Sequence, residues 1–310
     1  MSADRRVVVT GASGFVGWHV LAPLVARGFD VHAVARRARA DDPGAPAVAW
    51  HEADLLDPLA RRTLIEAIAP SHLVHAAWSL EPGKYADSPT NLDWVAASLD
   101  LARRFQAGGG RRVVTIGSCF EYEHGLRPVL DEAAPLRPST VYGAAKQALS
   151  IAMEALARAT DLSQAWARLF YLYGPHEDRR RLVGDIASSL LEGREVATSE
   201  GRVRRDYMYV ADAGDALAAL LDSDVTGPVN VATGTAPPVR ELVELVASAI
   251  GRPDLVRFGA RPTSPSDPPE IRADITRLRD HVGWSAVTTP DVGVAQTVDW
   301  WRAQLAGAIR

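Results

Sequence analysis

The sequence predicts an α/β fold, in which a doubly wound parallel sheet has helices on both faces and is joined by a smaller, interleaved C-terminal substrate domain. Two observations support this prediction. In the first half of the chain, short apolar runs alternate with segments of helical periodicity, and a glycine-rich turn directly follows the first apolar run. The 310 residues are enough for one large domain, or for a core domain with a smaller cap.

The first half contains five apolar runs that predict strands. In chain order they are RVVVTG, DVHAVARR, AVAWHEADL, HLVHAAW and RRVVTIGS. The segments GWHVLAPLVARG and DWVAASLDLARRF lie between such runs and have helical periodicity, so they predict crossover helices that keep the strands parallel. A sixth strand is predicted at AWARLFYLYG, which ends at Gly174.

The pattern changes after Gly174. RRRLVGDIASSLLEG and PVRELVELVASAIG predict helices, ATSEGRVRRDYMYV predicts a turn with short strands, and GPVNVATG predicts one more strand. GARPTSPSDPPEI, which includes Pro265, predicts a loop before a final helical region that ends in DWWRAQL. We therefore predict a first domain over residues 1–174, to which residues 204–232 return, and an interleaved part over residues 175–310.

Composition narrows the class of protein. The formal net charge of −4 gives no basic surface of the kind that binds nucleic acid. The single cysteine fits a reducing compartment, and the N-terminal sequence has no signal-peptide core. No apolar run approaches the roughly 20 residues that span a bilayer. We expect a cytoplasmic protein with no nucleic-acid or membrane partner, and no metal site is predicted.

The turn after the first strand has the sequence TGASGFVG, with glycines at Gly11, Gly14 and Gly17. Glycine allows a tight turn and a close approach of a diphosphate, and the free N–H groups of the following helix, which starts near Phe15 and Val16, attract anions. This spacing after a first strand predicts a Rossmann domain that binds NAD(H) or NADP(H). The alternative is a tight turn without a ligand.

The ends of the second and third strands bear on the choice of cofactor. An acidic residue after the second strand favours NAD(H), whereas arginine accommodates the 2′-phosphate of NADP(H). The chain has Arg36 and Arg37 there, with Asp41 and Asp42 farther along the loop, so NADP(H) is favoured; the alternative is that both arginines are solvated. After the third strand, Asp54 and Leu55 are predicted to contact the adenine, unless Asp54 is only a turn residue.

A tyrosine and a lysine lie four residues apart in STVYGAAKQAL. Ser139 or Thr140 can cap a helix that places Tyr142 and Lys146 on one face. A lysine ammonium and a nicotinamide cation would both favour the phenolate, and lowering the tyrosine pKa by about 3 units requires about 4 kcal/mol. Ser118, at the end of the fifth strand, is placed to hydrogen-bond the same substrate oxygen.

Together these motifs resemble the extended short-chain dehydrogenases/reductases of the nucleotide-sugar epimerase/dehydratase kind. The resemblance extends over TGASGFVG, ADLLD, HLVHAAW, GSCFEY, VYGAAK, FYLYGP, RRDYMYVADAGDAL and GPVNVATG. It implies that Tyr142 is the general acid/base, that Lys146 orients the nicotinamide ribose, and that Ser118 positions the reacting oxygen. It also implies a set of residues along the cofactor: Ala76, Ala77, Trp78 and Tyr171, the last standing where the family usually has asparagine.

The same resemblance implies how a nucleotide-diphosphate sugar is held. Leu182 and Val183 would cover the base, and Arg205 and Arg261 would meet the diphosphate, because the guanidinium fork pairs well with phosphate oxygens. Trp78 and Tyr85 belong to a segment that would form a lid over the substrate; the alternative is that these aromatic side chains pack a domain boundary. Each arginine has the alternative of a surface ion pair.

The dehydratases of this family have an Asp-Glu pair after the hydroxyl residue, where this chain has Cys119 and Phe120. Dehydration is therefore disfavoured. Cys119 and His176, the latter in YGPH, instead resemble the catalytic pair of GDP-fucose synthases, which epimerise and reduce a 4-keto sugar. The alternatives are that Cys119 is a small buried apolar residue and that His176 only binds substrate.

These observations predict an NADP(H)-dependent reductase, or epimerase/reductase, of a nucleotide-linked 4-keto-6-deoxy sugar, in which hydride arrives at C4 and Tyr142 donates the proton. One alternative is a nucleotide-sugar 4-epimerase with tightly held NAD. A second is a regulator that binds a dinucleotide without catalysis. The resemblance also implies a homodimer formed through helices around residues 90–106 and 142–159.

Overall fold

The computed structural model describes residues 5–40, 45–264 and 267–308. In chain order the strands are β1 (Arg6–Thr10), β2 (Asp30–Ala35), β3 (Ala49–Glu52), β4 (His72–His75), β5 (Arg112–Ser118), β6 (Val129–Leu130), β7 (Ser163–Leu169), β8 (Tyr171–Tyr173), β9 (Val196–Ala197), β10 (Arg204–Arg205), β11 (Tyr207–Tyr209), β12 (Gly227–Val231), β13 (Val256–Arg257) and β14 (Glu270–Ala273). The helices are α1 (Phe15–Ala26), α2 (Pro58–Ile68), α3 (Thr90–Ala107), α4 (Val141–Ala159), α5 (Leu182–Leu191), α6 (Val210–Leu221), α7 (Val239–Ile250) and α8 (Pro290–Ala308).

Within the described part of the chain, seven parallel strands form the central sheet, in the order β12-β7-β5-β4-β1-β2-β3. Every residue of β5 is buried, as expected for a central strand that is covered on both faces. The predicted fold class, a doubly wound parallel sheet, is confirmed.

Two apolar layers cover the sheet. On one face α1 and α6 pack together, and Leu21 and Leu217 are fully buried there. On the other face α2, α3 and α4 bury Ile65, Phe105 and Leu149 against the strands. Burying such side chains contributes about 1.5–3 kcal/mol each. The apolar faces of the two helix sets therefore hold them against opposite faces of the sheet.

A third apolar cluster lies among α5, α7 and α8 and includes Ile186, Val243 and Val298. Besides the central sheet, the described residues form three small sheets, with strand orders β10-β14-β6, β11-β8 and β13-β9. Strand β12 and helix α6 come after residue 174 but belong to the central sheet and its helical layer. The division into residues 1–174 and 175–310 stays a prediction.

The predicted sixth strand is wrong in its extent, because AWARLFYLYG forms two strands. Strand β7 ends at Leu169, and β8 pairs with β11 in a separate sheet. Between them, Phe170 packs with Cys119 and Tyr122 in a fourth apolar cluster, which turns the chain away from the central sheet. This break places Tyr171 beside the sheet's carboxyl ends.

The proline-rich segment before β14 is irregular over the described residues, and Pro265 lies outside them. Among the helices that the structure describes, none is both long enough and apolar enough to cross a membrane.

Candidate active site

A cleft of about 750 Å³ opens at the carboxyl ends of the central strands. It runs from the glycine turn after β1, past the ends of β2 and β4, to the end of β5 and the start of α5. Parallel α/β sheets bind their ligands at this edge, where the strand order reverses, here between β1 and β4.

The glycine turn is shaped by close backbone contacts. Gly11 has a φ of +66°, and a Cβ atom there would lie 2.8 Å from the backbone of Ala77. A Cβ atom on Gly17 would lie 2.2 Å from the carbonyl oxygen of Gly11. Helix α1 then begins with Gly14 as its N-cap and no acidic residue in its first turn, so its positive end is not neutralised locally. Phe15 also lines the cleft, together with Gly11, Gly14, Val16 and Gly17.

The ends of β2 and β3 contribute charged and polar groups. Arg36, Asp54 and Leu55 line the cleft, whereas Arg37 is exposed and lies outside its lining among the described residues. The Asp54 carboxylate accepts a hydrogen bond from the backbone of Leu56 at 3.0 Å, which is the turn role considered for it. Asp41 and Asp42 lie outside the described residues.

A buried chain of hydrogen bonds holds the segment after β4. The Thr10 hydroxyl oxygen accepts from the backbone N–H groups of Ala76 and Ala77, at 3.1 and 3.2 Å. Its proton is therefore directed to Nδ1 of His75 at 2.8 Å, which leaves Nε2 of His75 to donate to Ser98 at 2.7 Å. Burial lowers the pKa of His75 to about 3, so the ring is neutral. Ala76 and Ala77 line the cleft opposite Gly11.

The predicted catalytic side chains meet in the middle of the cleft. Helix α4 begins after Thr140, whose hydroxyl accepts from the backbone of Gly143 at 3.1 Å, as the capping pattern predicts. The Ser118 side chain lies close enough to the Tyr142 hydroxyl to favour its phenolate. The Lys146 Nζ donates to the carbonyl oxygen of Ile116 at 2.8 Å. Ser118, Tyr142 and Lys146 are all buried and line the cleft.

Burial sets the proton affinities of this trio. Burial raises the pKa of Tyr142 above its usual range, and the Ser118 side chain opposes the rise. Burial lowers the pKa of Lys146 to about 7, against the opposing charge of Glu121. The direction for Tyr142 is opposite to the lowering expected from the sequence, because burial of the phenol outweighs the effect of Lys146, whose Nζ lies 6.0 Å from the tyrosine ring centroid.

Beneath Ser118 lies an ion pair that the sequence analysis missed. The fully buried Glu121 carboxylate accepts from the Ser118 backbone N–H at 2.7 Å, from Nε1 of Trp166 at 2.9 Å and from Nε of Arg168 at 2.8 Å. The Arg168 guanidinium also donates to the Tyr122 hydroxyl at 3.0 Å. Glu121 follows Ser118 by three residues, which is the spacing of a capping box, and that signal was available in the sequence.

The structure places Cys119 and His176 in different surroundings. Cys119 is 1% exposed, packs with Tyr122 and Phe170, and lines the cleft; burial raises its pKa above the usual range, which disfavours a thiolate. His176 also lines the cleft, but its ring packs against Trp18, with centroids 4.9 Å apart, and against His19 and Trp300.

The remaining predicted substrate residues divide into two groups. Trp78, Tyr85, Tyr171 and Leu182 line the cleft. Val183, Arg205 and Arg261 lie outside the lining formed by the described residues.

The three residues outside the lining are each placed elsewhere in the fold. Val183 is buried in the cluster of α5, α7 and α8. Arg205 is buried, is paired with Asp267 and lies behind the ring of Tyr171, its guanidinium carbon 5.8 Å from that ring's centroid. Arg261 is exposed. The sequence analysis did not assign Trp94, Glu177, Arg181 and Tyr207 to the site, although all four line the cleft.

Comparisons with known proteins bear on this site. The model of the NAD dependent epimerase/dehydratase family matches residues 7–232. A Streptomyces sp protein named 3-diazoavenalumate denitrifying reductase is 31% identical, over 80% of this chain and 82% of its own length. The dTDP-6-deoxy-L-talose 4-dehydrogenase (NAD(P)(+)) of Kitasatospora kifunensis is 29% identical, over 98% of this chain and 96% of its own.

A solved structure is also similar to this chain in fold and sequence. The UDP-glucose 4-epimerase of Thermus thermophilus, crystallised in complex with NAD, superposes with a TM-score of 0.81 and is 26% identical, over 96% of this chain and 99% of that one.

Proposed function

The chain belongs to the NAD-dependent epimerase/dehydratase family, and on that premise we propose that this enzyme reduces the 4-keto group of a nucleotide-linked 4-keto-6-deoxy sugar. The predicted resemblance to extended short-chain dehydrogenases/reductases is confirmed, and with it an NAD(P)-dependent enzymatic activity. The observation that supports the proposal is the contact of Ser118 with Tyr142, one helical turn from Lys146, in the same cleft as the glycine turn.

The residues present fit a nicotinamide dinucleotide. Gly11 lets its backbone pack closely against Ala77, and Gly14 and Phe15 at the N-terminus of α1 line the cleft with no acidic residue in the first turn to oppose an anion. When bound, the dinucleotide supplies or accepts the hydride. Arg36 lines the adenosine end and favours NADP(H), although the solved relative binds NAD. The cofactor class is therefore established, and the preference for NADP(H) is part of the proposal.

The protein side of the reaction is proton transfer. Burial keeps the Tyr142 phenol protonated, so it is a donor to an oxygen that gains negative charge as hydride reaches the carbon. Ser118 holds that oxygen beside the phenol, and Glu121 fixes the Ser118 backbone. The Lys146 ammonium is anchored at Ile116 and contributes the nearby positive charge that a tyrosinate needs.

The relative named as a 4-dehydrogenase of a dTDP-linked 6-deoxy sugar supports the proposed substrate and the reacting carbon. The alternative, a 4-epimerase with tightly held NAD, is supported by the likeness to a UDP-glucose 4-epimerase. The raised pKa of Cys119 argues against a further epimerisation by Cys119 and His176. If ring carbons were epimerised by this pair, solvent deuterium would enter the sugar with the native enzyme and not with Cys119→Ser.

The test is the stoichiometry of cofactor oxidation with a dTDP-4-keto-6-deoxy sugar. We expect one NADPH consumed per sugar reduced, and we expect Tyr142→Phe to lower kcat by about 10²–10⁴-fold with unchanged cofactor affinity. Tyr209→Phe is the matched control, because Tyr209 is buried outside the cleft lining. Sugar interconversion without net oxidation would replace reduction by 4-epimerisation, and full activity in Tyr142→Phe would contradict both.

We also propose that the enzyme is a homodimer. Leu92 on α3 and Ile151 on α4 are large apolar side chains that are 61% and 59% exposed. These two helices are adjacent and are the pair implied by the family resemblance. Sedimentation equilibrium tests this, and we expect Leu92→Glu combined with Ile151→Glu to give a monomer.

A further inference from the structure

The substrate end of the cleft is walled by aromatic rings that surround Tyr142. Ring centroids lie 5.1 Å from Tyr142 for Tyr85, and 6.3 Å for both Trp78 and Phe120. Further rings contact Trp78 on one side and Phe120 on the other, so that the rings form one surface. We call this surface the aromatic wall, and its members are Trp78, Tyr85, Trp94, Phe120, Tyr171 and Tyr207.

The aromatic wall lies at the boundary between the apolar core clusters and the cleft. All six members are half-buried and line the cleft, whereas the apolar core residues nearby are fully covered. The wall extends from Trp94, stacked on Trp78 at 6.0 Å, to Tyr207, which is 5.3 Å from Tyr171. A surface of this kind presents ring faces and edges to whatever occupies the cleft.

The wall is held in place before any substrate arrives. The Trp78 indole N–H donates to the buried amide of Asn91 at 2.7 Å, and Asn91 in turn donates to the carbonyl oxygen of Tyr85 at 2.7 Å. The Lys146 Nζ lies 3.7 Å from the Trp78 ring centroid, a cation–π contact that also fixes the ring. Little rotamer entropy is then lost on binding, which favours affinity.

Charge at this end does not select for a diphosphate. The charged side chains of the lining here, among the described residues, are Lys146, Glu177, Asp178 and Arg181. The Lys146 Nζ already contacts the Ile116 carbonyl oxygen and the Trp78 ring. Burial raises the pKa of Glu177 to about 8, so at neutral pH the Asp178 carboxylate offsets the Arg181 guanidinium. Arg205 is already paired with Asp267. The walls thus offer mainly apolar ring contact, and Lys146 is already engaged by the protein.

We propose that the aromatic wall binds an aryl group next to the reacting carbon, and that the enzyme therefore also reduces aryl ketones and aldehydes. This inference rests on the proposed hydride transfer at Tyr142. NAD(P)H is the reductant: hydride forms the new C–H bond, the C=O π bond breaks toward oxygen, and the Tyr142 phenol donates the proton to that oxygen. The products are the aryl alcohol and NAD(P)⁺, and solvent returns the proton to Tyr142.

The inference is tested with a matched pair of ketones, acetophenone and cyclohexyl methyl ketone, which differ only in ring aromaticity. Binding is measured by saturation-transfer NMR and calorimetry on the enzyme loaded with NADP⁺, and turnover by NADPH oxidation. We expect acetophenone to bind about tenfold more tightly than its saturated analogue, as ring–ring contacts predict, and to be reduced to the alcohol.

Variants locate the effect. Phe120→Leu and Tyr171→Leu are each expected to reduce the preference for acetophenone severalfold, and Phe120→Leu is expected to leave the affinity for NADP⁺ unchanged. Phe258→Leu is the control, because Phe258 contacts Arg240 away from the cleft. Thermal unfolding of each variant shows whether it is folded, and if Phe120→Leu is not, Tyr171→Leu decides.

The outcomes separate this inference from the proposed function. Reduction of a keto-sugar nucleotide without binding of acetophenone would overturn the aryl inference and leave the proposed function standing; the wall would then pack on a deoxysugar face. Equal affinity for the two ketones would overturn it as well. Binding of acetophenone with no reduction of either substrate class would overturn both the proposed hydride transfer and the activity inferred from it.

Discussion

The two ends of the cleft are built in different ways. At the cofactor end, the shape comes from backbone contacts within a short stretch of sequence: Gly17 lies against Gly11, and helix α1 starts directly after them. At the substrate end, the shape depends on side chains that are far apart in the chain, such as Glu121 and Arg168, which are 47 residues apart and support Ser118. A local motif therefore specifies the cofactor end, whereas only the completed fold specifies the substrate end.

The first prediction tests the substrate end. Glu121→Gln is expected to lower the free energy of unfolding by about 3 kcal/mol, because the Arg168 guanidinium would stay buried without its partner charge. Denaturant unfolding measures the change. Glu154→Gln, which breaks the exposed pair with Arg158, is the control and is expected to cost under about 1 kcal/mol. Equal small losses in both variants would show that the substrate end does not depend on this ion pair.

The contrast between local motifs and long-range packing also explains which features could be predicted from the sequence. The glycine turn, the Thr140 cap and the Tyr142–Lys146 spacing are local, and all were predicted and found in place. The break between strands β7 and β8 was missed because it depends on the packing of Phe170 with Cys119 and Tyr122, residues about 50 positions earlier. No local pattern reports such a contact.

Substrate contacts were the least predictable part of the site. Arg205 has the residue type that a diphosphate requires, but Asp267 neutralises it, and that partner is 62 residues away. Conversely, no sequence pattern assigned Trp94 or Tyr207 to the site, and they join the cleft because α3 and the paired strands β8 and β11 begin beside it. Which side chains line a cleft is a property of long-range packing.

The second prediction tests the cofactor end. Gly17→Ala places a Cβ atom 2.2 Å from the Gly11 carbonyl oxygen, so the turn must open. We expect a loss of about 1–3 kcal/mol in unfolding free energy, from overpacking, and weaker binding of NADPH by fluorescence titration. Gly307→Ala on α8 meets open space; it is expected not to lower the unfolding free energy, because alanine favours a helix over glycine, and to leave the NADPH affinity unchanged. Unchanged NADPH affinity in Gly17→Ala would show that the turn is not the cofactor cradle.

The third prediction concerns the point where the two ends meet. Burial lowers the pKa of Lys146 from 10.5 to about 7, so between these values the unfolded chain binds more protons than the folded one. The destabilisation is complete below pH 7 and is relieved as the pH rises, by at most about 1.4 kcal/mol per pH unit. Lys146→Met is expected to remove this rise, measured by denaturant unfolding, whereas Lys84→Met, which replaces an exposed lysine, keeps it. Parallel profiles for the native protein and Lys146→Met would contradict a lowered pKa.

The smallest expected effect separates the two arginines at the adenosine end. Arg36 lines the cleft and Arg37 does not, so only Arg36 is placed to meet a 2′-phosphate. Arg36→Ala is expected to weaken NADPH binding about two- to fivefold, the range of a solvent-exposed charge pair, and to leave NADH binding unchanged. Arg37→Ala is the matched control and is expected to change neither affinity. Because such a contact is screened, the NADPH affinity of the native enzyme is expected to fall with added salt more steeply than that of Arg36→Ala. Equal losses of NADPH and NADH affinity in Arg36→Ala would assign this arginine to the part of the dinucleotide that the two cofactors share, and would leave the cofactor end specified by its backbone alone.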